Sequence, residues 1–284
     1  MKSETLAQIN MMLIFLVANV MALLLFPAYT IYEGGLGEEG SNPWVAVYYL
    51  IYVIAVTLLI VFIAKKGKKN LLRGIFYFAI AWAMWYAIFP LLYYFYIPYS
   101  DLISLAISVI LTILLIKNSE WYVIDLVGIL TTVGVALIFG LSLTLIPIIV
   151  LLSLFAIYDA IAVYMSKHMV ALADSAIEHK LPAMFVVPAK KGYSFKRAKG
   201  RPGKGTQREA YYMGYGDVLI PGILVVAAER NFGMLGGIFT LVGALSAMLL
   251  LFVMVNTGKP QPGLPYLNAG ALAGLIIYLL LFFF

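Results

Sequence analysis

Two carboxylates lie where a carboxylate is costly. Asp159 sits in Ile157-Tyr158-Asp159-Ala160-Ile161-Ala162-Val163, and Asp217 in Gly214-Tyr215-Gly216-Asp217-Val218-Leu219-Ile220-Pro221, both inside otherwise uncharged apolar runs. An ionisable group within a bilayer costs several kcal/mol unless it is paired or wetted, so each is a functional candidate. Two close carboxylates cannot both ionise cheaply: one keeps a proton while the other activates water, which is what acid–base hydrolysis of a peptide bond requires. Gly214 and Gly216, at alternate positions before Asp217, weaken the helix and expose backbone there. Backbone loosened in this way can accept an extended substrate by strand addition. Close helix packing through small residues is the other reading of the same glycines.

Other chemistries are excluded by residue type. The chain has no cysteine, and its two histidines, His168 and His179, both fall in a polar stretch. A Ser-His-Asp triad or a histidine-held metal inside the membrane is therefore not expected.

The elements that must position the two aspartates are membrane helices. With 64% hydrophobic and 11% charged residues over 284 positions, the chain departs from soluble composition, about 25% charged, toward an integral membrane protein. A span needs about 20 apolar residues. On that basis the sequence predicts an all-α polytopic protein of nine spans, at 6–30, 44–64, 71–92, 98–116, 122–139, 142–166, 211–229, 232–255 and 264–284. The first run is too long for a signal-peptide core and no clear cleavage site follows it.

Charge orients the bundle. With the N-terminus cytoplasmic and the C-terminus extracytoplasmic, every one of the 19 Lys and Arg residues except Arg230 falls on the inner side, as the positive-inside rule requires. The net charge of +6 is thus mainly topogenic, and nucleic acid is disfavoured as a partner. Tyr93, Tyr94, Tyr96 and Tyr99 cluster at an outer turn, and Trp121-Tyr122 at an inner end, like interfacial aromatics. Asp159 lies seven residues before Ser166 and Asp217 six after Tyr211, so both stand about 10 Å below the cytoplasmic surface on antiparallel neighbours.

Three regions follow within one membrane domain: residues 1–166 with Asp159, a cytoplasmic loop 167–210, and residues 211–284 with Asp217. Met169, Leu172, Ala173, Ala176 and Ile177 have helical spacing, an amphipathic stretch at the inner surface. Leu181–Pro188 is a short apolar run whose prolines limit any strand to about five residues, and such a strand is a candidate to pair with substrate. The rest of the loop reads as a basic, glycine-containing linker.

Tyr158-Asp159 and Gly214-Tyr215-Gly216-Asp217 resemble the YD and GxGD motifs of the presenilin and signal-peptide-peptidase intramembrane aspartyl proteases. Pro262-Gly263-Leu264 is similar to that family's Pro-Ala-Leu, with glycine for alanine. The motifs occur in order, in spans six, seven and nine, and the resemblance covers the whole chain. Asp217-Val218-Leu219-Ile220-Pro221-Gly222 looks more like signal peptide peptidase, whereas Tyr158–Val163 and Leu181-Pro182-Ala183-Met184 look more like presenilin. The orientation, which differs between the branches, favours a microbial, archaeal-type presenilin homologue in a cell membrane. The resemblance implies catalytic Asp159 and Asp217, water as nucleophile, and no metal or cofactor. It also implies that Tyr158, Gly214, Gly216, Pro262, Gly263 and Leu264 shape the site or bind substrate. The implied partners are transmembrane-helix protein substrates and the lipid bilayer, with a homo-oligomer allowed.

Other acids have plainer readings. Asp125 and Asp101, near span ends, are expected to be solvated at the interface, and Glu33, Glu38 and Glu39 belong to a solvated loop rather than a calcium site. Lys259 reads as a snorkelling lysine, and Gly233, Gly236, Gly237 and Gly243 as marks of close helix contact. The rival function is a transporter or leak channel that relays protons or cations through the aspartates. Inverted repeats, expected of many transporters, are not evident. A prepilin-type peptidase shares the GxGD aspartate but has fewer spans and no Pro-Ala-Leu-like element.

Overall fold

The structure, a computed structural model, describes residues 2–31, 69–165, 182–190, 192–197, 209–255 and 261–283, with scattered residues between 42 and 62. Most of the second predicted span, the amphipathic stretch 169–177, most of the basic linker, Glu33, Glu38, Glu39 and Lys259 lie outside the described residues. The elements are α1 (Lys2–Ile31), α2 (Lys69–Tyr94), α3 (Ser100–Lys117), α4 (Trp121–Ser142), α5 (Leu145–Tyr164), β1 (Met184–Pro188), β2 (Ala210–Gly214), α6 (Tyr215–Val255) and α7 (Gly263–Phe282). Among the described residues, seven helices are long and apolar enough to cross a membrane.

One of the seven is too long for a single crossing. The 41 residues of α6 would extend about 62 Å as a straight helix, twice the hydrocarbon core. The run breaks at Gly233, whose φ of 76° is left-handed and favours glycine. Beyond the break the chain turns back on itself. A Cβ built on Gly237 would stand 3.2 Å from the carbonyl oxygen of Val225, twelve residues earlier, where a continuous helix would separate them by about 18 Å. Gly233 is therefore the turn itself, with open space around it, and not the packing contact expected of it. Gly236, Gly237 and Gly243 do sit at close contacts.

The first half of α6 is the centre of the bundle. Residues 220–228 are all buried, as expected of a helix apolar on every face, and α1, α4, α5 and α7 pack around it. Small residues set the closest approaches. A Cβ on Gly243 would run into the backbone of Gly270 and Gly274 on α7. On α3 the buried stripe Ser104, Ser108, Thr112 allows similar proximity. Its hydroxyls return to the helix's own carbonyls, Ser108 to Ser104 and Thr112 to Ser108, each at 2.8 Å. Arg230, the one basic residue on the predicted outer side, donates to the carbonyls of Leu141 and Leu143 at the end of α4, the place where cations suit a helix terminus.

One predicted span starts later than hydropathy implies. Residues 210–214 form a strand, paired antiparallel with β1 in the register Met184 to Gly214 and Pro188 to Ala210. The ladder continues at both ends through Tyr215 N–H to Ala183 O (3.2 Å) and Ala189 N–H to Glu209 O (2.9 Å). Tyr211-Tyr212-Met213 is as apolar as a helix start, but aromatic residues suit a paired strand. The partner, supplied by residues 184–188, decides the conformation.

Candidate active site

Asp159 lies five residues before the end of α5 and is 3% exposed. Its partner surface is the start of α7. The first N–H groups of a helix have no intrahelical acceptor, and Pro262, the residue that opens α7, provides no side-chain cap. Asp159 fills that role from another helix: Leu264 N–H donates to its Oδ2 at 3.1 Å, and the Gly263 N–H also bonds to this carboxyl. A carboxylate at a helix N-terminus is favoured both by those donors and by the helix dipole.

Asp217 approaches the same turn from the other side. It stands in the first turn of α6, directly after β2, and its carboxyl takes a hydrogen bond from Gly214 N–H. A Cβ on Gly263 would lie 2.8 Å from Asp217 Oδ1 and 3.2 Å from its Cγ. Gly263 is thus the floor between the two carboxyls, touching Asp217 with its Cα face and Asp159 with its N–H. The two acids are close enough to interact electrostatically.

The structure brings Asp159, Asp217, Gly214, Gly263 and Leu264 together, with Pro262 buried behind them. Gly216 is exposed with open space where a side chain would stand. Tyr158 is partly buried next to Asp159 in the chain and makes no hydrogen bond to either carboxyl among the described residues. Asn268, one turn beyond Leu264, donates to Leu152 O at 2.9 Å and ties α7 to α5 a second time. At the mouth, the Tyr164 hydroxyl donates to Gln261 Oε1 at 2.6 Å, joining the last residue of α5 to the residue before Pro262.

Asp125 is not the solvated interfacial acid that its position implies. It is 8% exposed, and its Oδ1 accepts Val186 N–H at 2.7 Å. The sheet therefore stands with β1 toward α4 and β2 on the other side. The short strand anticipated at 181–188 exists, with five residues, but one of its edges faces β2 and the other meets Asp125. The only sequence signal for this role was an acid one turn inside an apolar helix; its partner, 61 residues away, left none. Among the described residues no group of three or more His, Cys, Asp or Glu side chains is placed to hold a metal.

Comparisons with known proteins identify the family. Residues 12–283 match the family described as signal-peptide peptidase, presenilin aspartyl protease. The chain is similar to a crystal structure of a presenilin family intramembrane aspartate protease in space group C222, with 29% identity, a TM-score of 0.72, and 96% of this chain and 99% of that one covered. A second structure of such a protease, in space group P2, matches at 29% identity and a TM-score of 0.71, covering 96% and 97%. No curated protein sequence matches significantly. With a family match across nearly its whole length and two acids converging on one glycine, the chain belongs to the signal-peptide-peptidase and presenilin family and is an intramembrane aspartyl protease.

Proposed function

We propose that Asp159 and Asp217 are the catalytic pair, hydrolysing peptide bonds within transmembrane segments of other membrane proteins. The observation that carries this reading is the convergence of both carboxyls on Gly263: Asp159 on its N–H and Asp217 on its Cα face. In this reading one carboxyl removes a proton from the attacking water while the other protonates the carbonyl oxygen, and the roles reverse as the amine leaves. Pro262, Gly263 and Leu264 hold the floor of the site. A substrate helix hides its scissile carbonyl in i to i−4 bonds, so it must unwind. An extended segment of it would add to the small sheet along β2, whose last residue is Gly214, three before Asp217.

The same reading includes nine spans in a cell membrane, the N-terminus in the cytoplasm, the C-terminus outside, and the site near the cytoplasmic face. The distribution of Lys and Arg supports it, as does the reversal at Gly233, which turns α6 into two crossings. Residues 1–166 and 211–284 then each supply one aspartate, and loop 167–210 supplies the first strand. Reconstitution in lipid with a tagged single-span substrate tests the proposal. Cleavage should be lost in Asp159→Asn and in Asp217→Asn separately, and blocked by a transition-state mimic. Retained cleavage in either variant removes that residue from the chemistry, and ion flux without cleavage would replace the enzyme by a channel.

A further inference from the structure

The inner end of α4 carries a set of contacts that the dyad does not account for. Asp125 accepts the N–H of Val186, the middle residue of β1. One residue earlier, the carbonyl of Ile124 accepts the hydroxyl of Tyr215 at 2.8 Å, the tyrosine between the two glycines that precede Asp217. One turn later, Gly128 leaves room for two rings: a Cβ there would stand 2.5 Å from Tyr215 Cε1 and 2.8 Å from Phe185 Cε1. Those rings pack on each other with centroids 4.6 Å apart. Just before α4, Glu120 accepts the Ser194 hydroxyl at 2.6 Å and Phe195 N–H at 3.1 Å. Phe195 and Tyr193 in turn hold Tyr212 of β2, by ring contact and by a hydroxyl–hydroxyl bond of 2.9 Å.

Resting on the dyad reading, we infer that Asp125 is a positioning residue for catalysis: by holding the outer edge of β1 against α4, it places the sheet and the Gly214–Asp217 segment that continues from it. The chain of contacts is short. Val186 is paired with Tyr212, Gly214 ends the same strand, and the Gly214 N–H bonds to the Asp217 carboxyl. A five-residue, two-stranded sheet has little stability of its own, so its location must come from what it is docked on. A peptide N–H buried without an acceptor carries a desolvation penalty, and the carboxylate of Asp125 both removes that penalty and selects one lateral position for the strand. An apolar residue at 125 would leave β1 free to shift along α4, and the catalytic carboxyl would shift with it.

The test uses the full-length protein in lipid with a tagged single-span substrate, reading kcat, KM, the cleavage positions by mass spectrometry, and thermal unfolding. Asp125→Leu removes the acceptor. The expected result is a kcat at least tenfold lower, KM within twofold, and cleavage redistributed to neighbouring bonds. Asp125→Asn keeps a carbonyl that can accept from Val186 and should recover kcat to within about threefold, with the original cleavage positions. Val186→Pro removes the donor and should copy Asp125→Leu, and the double variant should be no worse than either single one, because both delete the same bond. If Asp125→Leu fails to fold, Val186→Pro against Asp125→Asn carries the same comparison. Unchanged kcat and cleavage positions in folded Asp125→Leu or Val186→Pro would overturn the inference. So would an Asp125→Asn as impaired as the leucine variant, since that would require the charge or proton of Asp125. The dyad reading fails separately, through cleavage surviving Asp159→Asn or Asp217→Asn.

Discussion

Gly263 takes the middle place in Pro262-Gly263-Leu264, which resembles a Pro-Ala-Leu motif, and a methyl group added there tests the site at its tightest point. The Cβ of Gly263→Ala would lie 2.8 Å from Asp217 Oδ1, 3.2 Å from Cγ and 3.5 Å from Oδ2, where ordinary contact begins near 3.4 Å. Something must yield by about half an ångström. The backbone of α7 is poorly placed to do so. Its Leu264 N–H is bonded to Asp159, Asn268 ties it to Leu152, and Gly270 and Gly274 already touch the backbone of α6. The Asp217 side chain yields instead, turning its carboxyl out of the space shared with Asp159. Holding a side chain about 30° from its rotamer costs about 0.5–1.5 kcal/mol. Applied to the step that needs the pair aligned, this lowers kcat about 2- to 12-fold. KM and thermal stability should change little, because the strain falls on the Asp217 rotamer that the proposed chemistry needs. The assay is steady-state cleavage of a single-span substrate in lipid, with unfolding followed in parallel. A kcat for Gly263→Ala at or above that of the parent would refute the reasoning, and so would a loss confined to KM.

Three other substitutions test the packing that supports the site. Gly243→Ala places a methyl group against the backbone of Gly270 and Gly274, where no side chain can rotate away. Overpacking of this kind costs about 1–3 kcal/mol, and an unaltered unfolding midpoint would contradict the close approach of α6 and α7. Gly216→Ala meets nothing and lies in the first turn of α6. It should raise stability by up to about 1 kcal/mol through helix propensity, whatever it does to cleavage; a loss of stability would show that the backbone there is not helical. Tyr215→Phe keeps the ring on Phe185 but deletes the bond to Ile124 O. Chemical denaturation should register a loss of about 0.5–1.5 kcal/mol, and no loss would mean that the hydroxyl is satisfied by water in both states.

What the chain declared in advance follows from local chemistry. Apolar runs of sufficient length must become helices in a bilayer, because no other open segment satisfies its own backbone there. The runs 71–92, 98–116, 122–139 and 142–166 accordingly fall on α2 to α5. The acids at 159 and 217 were visible because charge is rare in such runs. Residues distant in sequence decided the rest. Tyr211-Tyr212-Met213 is a strand and not the start of a helix because β1 pairs with it. Asp125 is buried and not solvated because Val186 supplies a donor. Gly233 is a turn, recognisable only from its φ and from the return of Gly237 to Val225. The contact of Gly263 with both aspartates joins three helices, and no pattern in one segment encodes it. Hydropathy is a property of a residue and its neighbours along the chain, so it announces spans and stray charges. Hydrogen-bond partners and ångström-scale clearances are properties of pairs that meet only after folding, so the tertiary structure alone assigns them.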